Sequence, residues 1–307
     1  MMSGDASRSG AGAEANDAEA LRLARTVEGR PLLGDEGGFV PLGATGIDGV
    51  DDALGAATGA AASGTAASGT AASGASTLPS IDDLPATRTP AERLSFGVPF
   101  DPGKLWGIGL NYADHATDLD AVRPAEPASF MQPSTALTAP GGPIRLPPTE
   151  ETSRVTAEAE LGLVIGRTCT DVDEADFGDV VAGVVPVIDV TAEDVLQRNP
   201  RFLTRAKSYD TFLLVGPWVS VPVSVDRLAG TTVRTVINGV TVAENTVDRM
   251  LFPPEELVSV HSRVMTLERG DLISTGTPGA GVIEAGDTVR AEVDGVGALA
   301  ADVVGGE

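Results

Sequence analysis

The sequence predicts a mainly β, α+β fold of the sandwich or roll type, and three observations predict it. The apolar runs ELGLVIG (160–166) and VVAGVVPVIDV (180–190) are continuous, rich in Val, Leu and Ile, and short for helices. That is the pattern of strands buried on both faces. Further strand-like stretches follow, namely TFLLVGPWVSV (211–221), TTVRTVING (231–239) and TVRAEVDGVGALAADVV (288–304). They lack the regular helix–strand alternation of a dinucleotide-binding sheet. Sustained helical spacing occurs in PPEELVSVHSRVMTLERGD (253–271), with Pro at its start and Gly270 beyond its periodic part.

Along the chain, residues 1–18 are small, polar and acidic, the composition of a disordered tail. Residues 19–56 read as a small N-terminal β unit, because LRLARTVEGRPLLGDEGGFVPL (21–42) breaks into short strands joined by Gly-containing turns. Residues 57–95 read as a low-complexity linker, in which TAASG recurs with a period of five across 61–76. Nothing in that unit can form a core. From 96 to 307 the chain reads as one globular domain. KLWGIGLNY (104–112) has a strand pattern, and ADHATDL (113–119) starts a short helix or lid.

Composition narrows the function classes. Of 307 residues 42% are apolar but only 4% aromatic, so the core must be aliphatic. The formal charge of −23, from 44 acidic and 21 basic residues, repels phosphate backbones and anionic membranes alike. Nucleic acid and membrane are therefore not expected partners. Only Lys104 and Lys207 are lysines; an acidic, Lys-poor, Ala/Gly-rich chain fits a salt-adapted proteome or a GC-rich genome. The single cysteine, Cys169, excludes an intrachain disulfide and fits a reducing compartment. The first twenty residues lack a signal-peptide apolar core, and the longest apolar run is too short to span a bilayer. A soluble, cytoplasmic protein is the expectation.

Glu158 and Glu160 stand two residues apart at the front of an apolar strand. Positions i and i+2 of a strand share a face, so the two carboxylates repel each other and need a cation if buried. Two solvated glutamates at an exposed strand end are the alternative. Asp189 closes a second apolar run, as a third oxygen ligand or as a strand-end cap. Three oxygen donors without Cys or His suit a hard divalent ion, Mg²⁺ or Mn²⁺, and not zinc.

The ordered motifs GIGLNYADHA, EAELGLVIG, AGVVPVIDVTAED, LTRAKSYDTF, GPW, ING, TLERGDLISTGTPGAG and GDTVRAEVDGVG resemble the fumarylacetoacetate hydrolase family over residues 96–303. The resemblance implies that family's mixed β-sandwich or roll and a homodimer. It implies a metal triad of Glu158, Glu160 and Asp189 that grips a 2-oxo or 1,3-diketo acid. It implies His115 as a base from a lid helix, and Lys207 as a cation beside substrate carboxylate and enolate. Tyr112, Gly276 and Thr277 are the implied substrate contacts. Asp118 stands three residues after His115 where the family has Glu, one methylene shorter.

Two departures bear on substrate choice: Glu193 replaces an Arg found in many members, and Leu196, with Gln197 beside it, replaces a Gln found in some. The implied reaction is C–C bond hydrolysis of an acylpyruvate-type acid, or decarboxylation of a 2-oxo acid such as oxaloacetate. A 2-keto-3-deoxy sugar-acid dehydratase or dienoate isomerase is the alternative within the family. A non-catalytic, acidic metal-binding protein is the alternative of another class.

Taken alone, His115 could be a surface helix histidine, Lys207 and Arg205 solvated cations, and STGTP (274–278) a plain turn. His261 matches no catalytic position and reads as structural or solvent-facing. DVDEAD from Asp171 lacks the turn glycine and final acid of a calcium loop and reads as a solvated turn.

Overall fold

The computed structural model describes residues 20–59, 77–112 and 125–306. The tail predicted at 1–18, the TAASG tract, His115 and Asp118 lie outside the described residues. Strands β1 (Leu21–Arg25), β2 (Pro31–Asp35) and β3 (Gly38–Pro41) come first. Next are β4 (Leu105–Gly109), β5 (Ala128–Gln132), β6 (Leu137–Thr138) and β7 (Ile144–Arg145). The longest strands are β8 (Val155–Ile165) and β9 (Val181–Ala192). Then follow β10 (Leu213–Val215), β11 (Trp218–Val221), β12 (Thr232–Ile237) and β13 (Val240–Thr246). The last are β14 (Leu272–Ser274), β15 (Ala280–Ile283), β16 (Thr288–Val293) and β17 (Gly297–Val304).

They form two mixed sheets, as the sandwich reading predicts. One runs β3-β2-β1-β11-β9-β8-β14-β4-β5, with β10, β6 and β15 attached at its middle; the other runs β13-β12-β16-β17-β7. Most pairs are antiparallel, while β14–β4, β10–β6 and β17–β7 are parallel. Ala157, Ala159, Leu161 and Leu163 of β8 pack toward Val233, Val289, Ala291 and Leu299 of the second sheet. On the other side Val185 and Val187 of β9 pack with Leu54, Leu105, Leu213 and Leu272. Both long strands are thus covered twice, which explains why their sequences read as continuous apolar runs. Each fully buried Val or Leu contributes roughly 1.5–3 kcal/mol.

Pro186 sits mid-strand in β9, where a missing N–H would ordinarily break a ladder. Here β11 pairs with β9 at Val184 and β10 from Val187 onward. Pro186 occupies the gap between those neighbours, and its carbonyl accepts the Gly216 N–H at 2.7 Å.

The N-terminal strands form as expected but extend the main sheet, through register Leu21↔Val221 to Ala24↔Trp218. Their pairing partner lies far along the chain, so local pattern could not reveal it. The predicted linker at 57–95 is packed over its later part. Leu84 is buried, Thr89 exchanges backbone hydrogen bonds with Phe39, and Arg88 pairs with Asp35. The predicted helix forms over Pro254–Val264, burying Leu257, Val258 and His261. Among the described residues, no helix is long and apolar enough to cross a membrane.

Gly107 of β4 lies opposite Phe130 of β5, and a Cβ there would stand 2.2 Å from the phenyl ring. That ring in turn lies 5.4 Å beneath the Lys207 ammonium. Gly107→Ala is expected to displace Phe130 and lower stability by about 1–3 kcal/mol, read as a lower Tm. An unchanged Tm would contradict this packing argument.

Candidate metal centre

The register of β8 on β9 sets Glu158 directly opposite Asp189, with Glu160 one pleat further on the same face. Ligand oxygens of the three lie within 4.8 Å of one another. Glu160 and Asp189 are 1% exposed, so the exposed-strand-end reading does not hold for them. Lys207 closes the short helix Leu203–Lys207 and is itself buried. Its Nζ donates to Glu158 Oε2 at 2.9 Å and to Asp189 Oδ2 at 2.8 Å.

Neutral donors aim the remaining lone pairs. Thr191 Oγ1 donates to Glu158 Oε1 at 2.8 Å, and Gln132 Nε2 to Asp189 Oδ1 at 3.2 Å. Ser274 Oγ and the Gly276 N–H both donate to Glu160 Oε2, at 2.5 and 2.8 Å. Glu160 Oε1 accepts no bond from the described residues.

Three carboxylates and one ammonium leave a net −2 when all are ionised, the charge that one divalent cation neutralises. Burial, followed by the charge of Asp189, pushes Glu160 up to about 8. Burial also pushes Asp189 up to about 6, with Glu158 adding to it and Lys207 opposing it. For Lys207 burial acts to release the proton, but Asp189, Glu158 and Glu160 outweigh it and hold the proton more tightly than usual. A hard, all-oxygen cluster that resists its own ionisation fits Mg²⁺ or Mn²⁺.

The other sequence candidates fare differently. Tyr112 is fully buried, with its backbone bridged to Met250. Its hydroxyl, kept protonated by burial and by the Glu160 charge, has no partner among the described residues. The Gly276 N–H is spent on Glu160 and not left for substrate, and the residue holds φ +94°, with Asn111 where a Cβ would go. Thr277 Oγ1 donates to the Gly279 carbonyl at 2.9 Å. Glu193 pairs with Arg154 at 2.6 Å, and Leu196 packs against the core. Arg205 pairs with Glu151 in a half-exposed bridge. Residues 171–176 are largely exposed, as a solvated turn would be. Cys169 is half-buried, bridged to Leu267 through its backbone.

Sequence reasoning missed Gln132, Thr191, Ser274 and Asn111. Asn111 is fully buried. It donates to the carbonyls of Phe252 and Thr275 at 3.0 and 2.7 Å and accepts the Phe252 N–H at 2.9 Å, so one side chain ties three loops. Its only sequence signal was its place in GIGLNY. Tyr112 OH, Gln132 Oε1, Ser208 Oγ and Tyr209 OH are buried without a partner among the described residues. Buried orphan groups of this kind call for a ligand or an ordered water.

Residues 104–304 match the family model described as fumarylacetoacetate (FAA) hydrolase, C-terminal. The mitochondrial oxaloacetate tautomerase of Xenopus laevis is 35% identical over 213 residues, 66% of this chain and 66% of its own. A 5-carboxymethyl-2-hydroxymuconate delta-isomerase from Mycobacterium smegmatis superposes with TM-score 0.69 at 30% identity, covering 94% of this chain and 99% of that one. A maleylpyruvate hydrolase from Sphingobium sp. SYK-6, in complex with manganese(II) and pyruvate, gives TM-score 0.71 at 28% identity, covering 93% and 100%.

Because folding raises the Glu160 and Asp189 carboxyl groups, the metal-free native state binds more protons than the unfolded chain between about pH 4 and 8. Its stability is therefore expected to fall as pH rises through that window. In EDTA, Tm should drop from about pH 5 to about pH 8, and Glu160→Gln should flatten part of that slope. Added Mg²⁺ or Mn²⁺ should raise Tm more at the higher pH and release protons in calorimetry. A metal-induced Tm gain that does not vary with pH would contradict the assignment.

Proposed function

This chain belongs to the fumarylacetoacetate hydrolase family, and on that premise we propose a divalent-metal-dependent enzyme that cleaves a C–C bond in an acylpyruvate or related β-diketo acid. The observation that carries the reading is the buried cluster of Glu158, Glu160 and Asp189, with Lys207 bridging two of its acids. The likeness to a maleylpyruvate hydrolase bound to manganese(II) and pyruvate points to the same ligand chemistry.

Glu158, Glu160 and Asp189 would hold the ion, which when bound supplies Lewis-acid polarisation of the 2-oxo group. His115 takes a proton from the attacking water, and Asp118 orients its ring. The water oxygen adds to the distal carbonyl, and the C–C bond to the methylene carbon then breaks. Its electron pair passes into the enolate of the 2-oxo acid. Lys207 places positive charge beside that enolate as it forms, and protonation at carbon completes the product. Tyr112, Gly276 and Thr277 border the substrate, with the unpartnered Tyr112 hydroxyl and Gln132 Oε1 offering it hydrogen-bond positions. Decarboxylation of a 2-oxo acid such as oxaloacetate would use the same enolate without water. We infer a homodimer as the working assembly, checked by light scattering.

Likeness to a delta-isomerase and an oxaloacetate tautomerase favours a second reading, in which a proton moves through the same enolate and no C–C bond breaks.

A panel of acetylpyruvate, fumarylpyruvate, oxaloacetate, a 2-hydroxymuconate-type dienoate and 2-keto-3-deoxyxylonate, with Mg²⁺ or Mn²⁺, separates these readings. Metal-dependent release of pyruvate from an acylpyruvate is the expected outcome. His115→Ala should lower kcat about 10²–10⁴-fold, and Glu158→Ala should abolish the metal-dependent turnover. Proton exchange or tautomerisation alone would move the assignment to the isomerase. Metal binding with no turnover of any member would favour the non-catalytic alternative.

A further inference from the structure

The two faces of β5 carry different chemistry. Phe130 and Gln132 face Lys207 and Asp189, whereas Ser129 and Met131 point to the opposite face. On that face Ser129 pairs across the ladder with Ile108, and Met131 with Trp106, so Trp106 sits diagonally from Ser129. Ser129 is exposed, and behind it lies the imidazole of His261, which is 1% exposed.

The protonation pattern of His261 follows from its partners. Its Nδ1 stands 2.6 Å from the Leu257 carbonyl oxygen, which can only accept, so Nδ1 carries the proton. Nε2 then presents a lone pair to Ser129 Oγ at 2.7 Å. The competing acceptor for the hydroxyl proton, the Pro127 carbonyl, is further away at 3.3 Å. Burial lowers the histidine's proton affinity, which keeps it neutral and leaves the Nε2 lone pair free to accept a proton. The Trp106 ring meets it edge-on at 4.8 Å, and the Trp106 Nε1 hydrogen is buried without an acceptor among the described residues. A serine hydroxyl, a base held in one tautomer by a third group, and an uncommitted N–H donor are the parts of a nucleophilic acyl-transfer site.

We propose that Ser129 is a nucleophile, with His261 as its base and the Trp106 indole as an anion-stabilising donor, that hydrolyses small neutral carboxylic esters. Ser129 Oγ attacks the ester carbonyl carbon as its proton passes to His261 Nε2. The ester C–O bond breaks, and the leaving alcohol takes that proton. Water then attacks the acyl-serine with its proton going to Nε2, releasing the acid and restoring Ser129. Neutral esters are favoured because the side chains around Ser129, namely the neutral His261, Trp106, Ile108 and Met131, offer no charge to pair with an anionic one. This activity is independent of the metal cluster.

The test uses the full chain in EDTA, with 4-nitrophenyl acetate as substrate and a fluorophosphonate as label, followed by peptide mapping. The expected result is one adduct on Ser129, with ester hydrolysis falling at least about tenfold in Ser129→Ala while metal-dependent turnover of 2-oxo acids is retained. His261→Gln, if its circular dichroism matches wild type, should slow labelling by about tenfold or more. If that variant does not fold, Ser129→Ala and the mapped adduct decide alone. Labelling elsewhere, no labelling, or full esterase activity in Ser129→Ala would overturn the proposal. A folded His261→Gln that labels at the wild-type rate would overturn it as well.

Discussion

The Glu158–Asp189 pair, bridged by Lys207, is the contact on which the arrangement of this molecule depends. Like charges directly opposite on neighbouring strands destabilise a sheet, and both strands here are buried. An ammonium from a separate helix makes the juxtaposition tolerable, and Thr191 and Gln132 complete it. The register is correspondingly strict. A slip of one residue along β8 would carry both glutamates into the aliphatic layer now filled by Ala157, Ala159 and Leu161. The apolar packing and the acid cluster therefore enforce the same alignment.

Charge placement elsewhere has a different character. Arg234 pairs with Asp294 and Glu244, and Arg290 with Glu292, at partly exposed positions, where each pair contributes about 0–1 kcal/mol. Arg25 with Asp101 and Lys104 with Glu268 also have one partner largely in solvent. Lys207 has no such outlet to water. Removing its charge would leave two facing acids with one fewer compensating proton donor in a dry place, the costly way to break a buried ion pair.

What could be read from the chain alone followed from short-range periodicity. The twice-covered β8 and β9, the helix Pro254–Val264 and the strands β12, β16 and β17 each announce themselves within about ten residues. Glu158 and Glu160 were legible because a period of two places them together, and Asp189 because a charge ends an apolar run. Partners supplied from elsewhere were not legible. Gln132 reaches Asp189 across 57 positions, and Ser274 reaches Glu160 across 114. The joining of β1 to β11 was hidden for the same reason. The Gly276 amide illustrates a subtler loss. Its turn was recognisable, but whether its N–H faced a ligand or a neighbouring carboxylate depended on a strand more than a hundred residues earlier.

The Asn111 side chain, which fastens the loop after β4 to the segments around Phe252 and Thr275, has a consequence for how such a protein can change. The acid frame rests on the β8–β9 ladder, while the bordering loops are anchored to one another by the Asn111 amide and by backbone bonds such as that from the Leu251 N–H to the Asn111 carbonyl at 2.7 Å. Substitutions along those borders can alter which molecules are admitted without disturbing the ladder. Inheritance of the frame and exploration at its margins are thereby separated. Such a division suits a scaffold whose relatives are a hydrolase, an isomerase and a tautomerase.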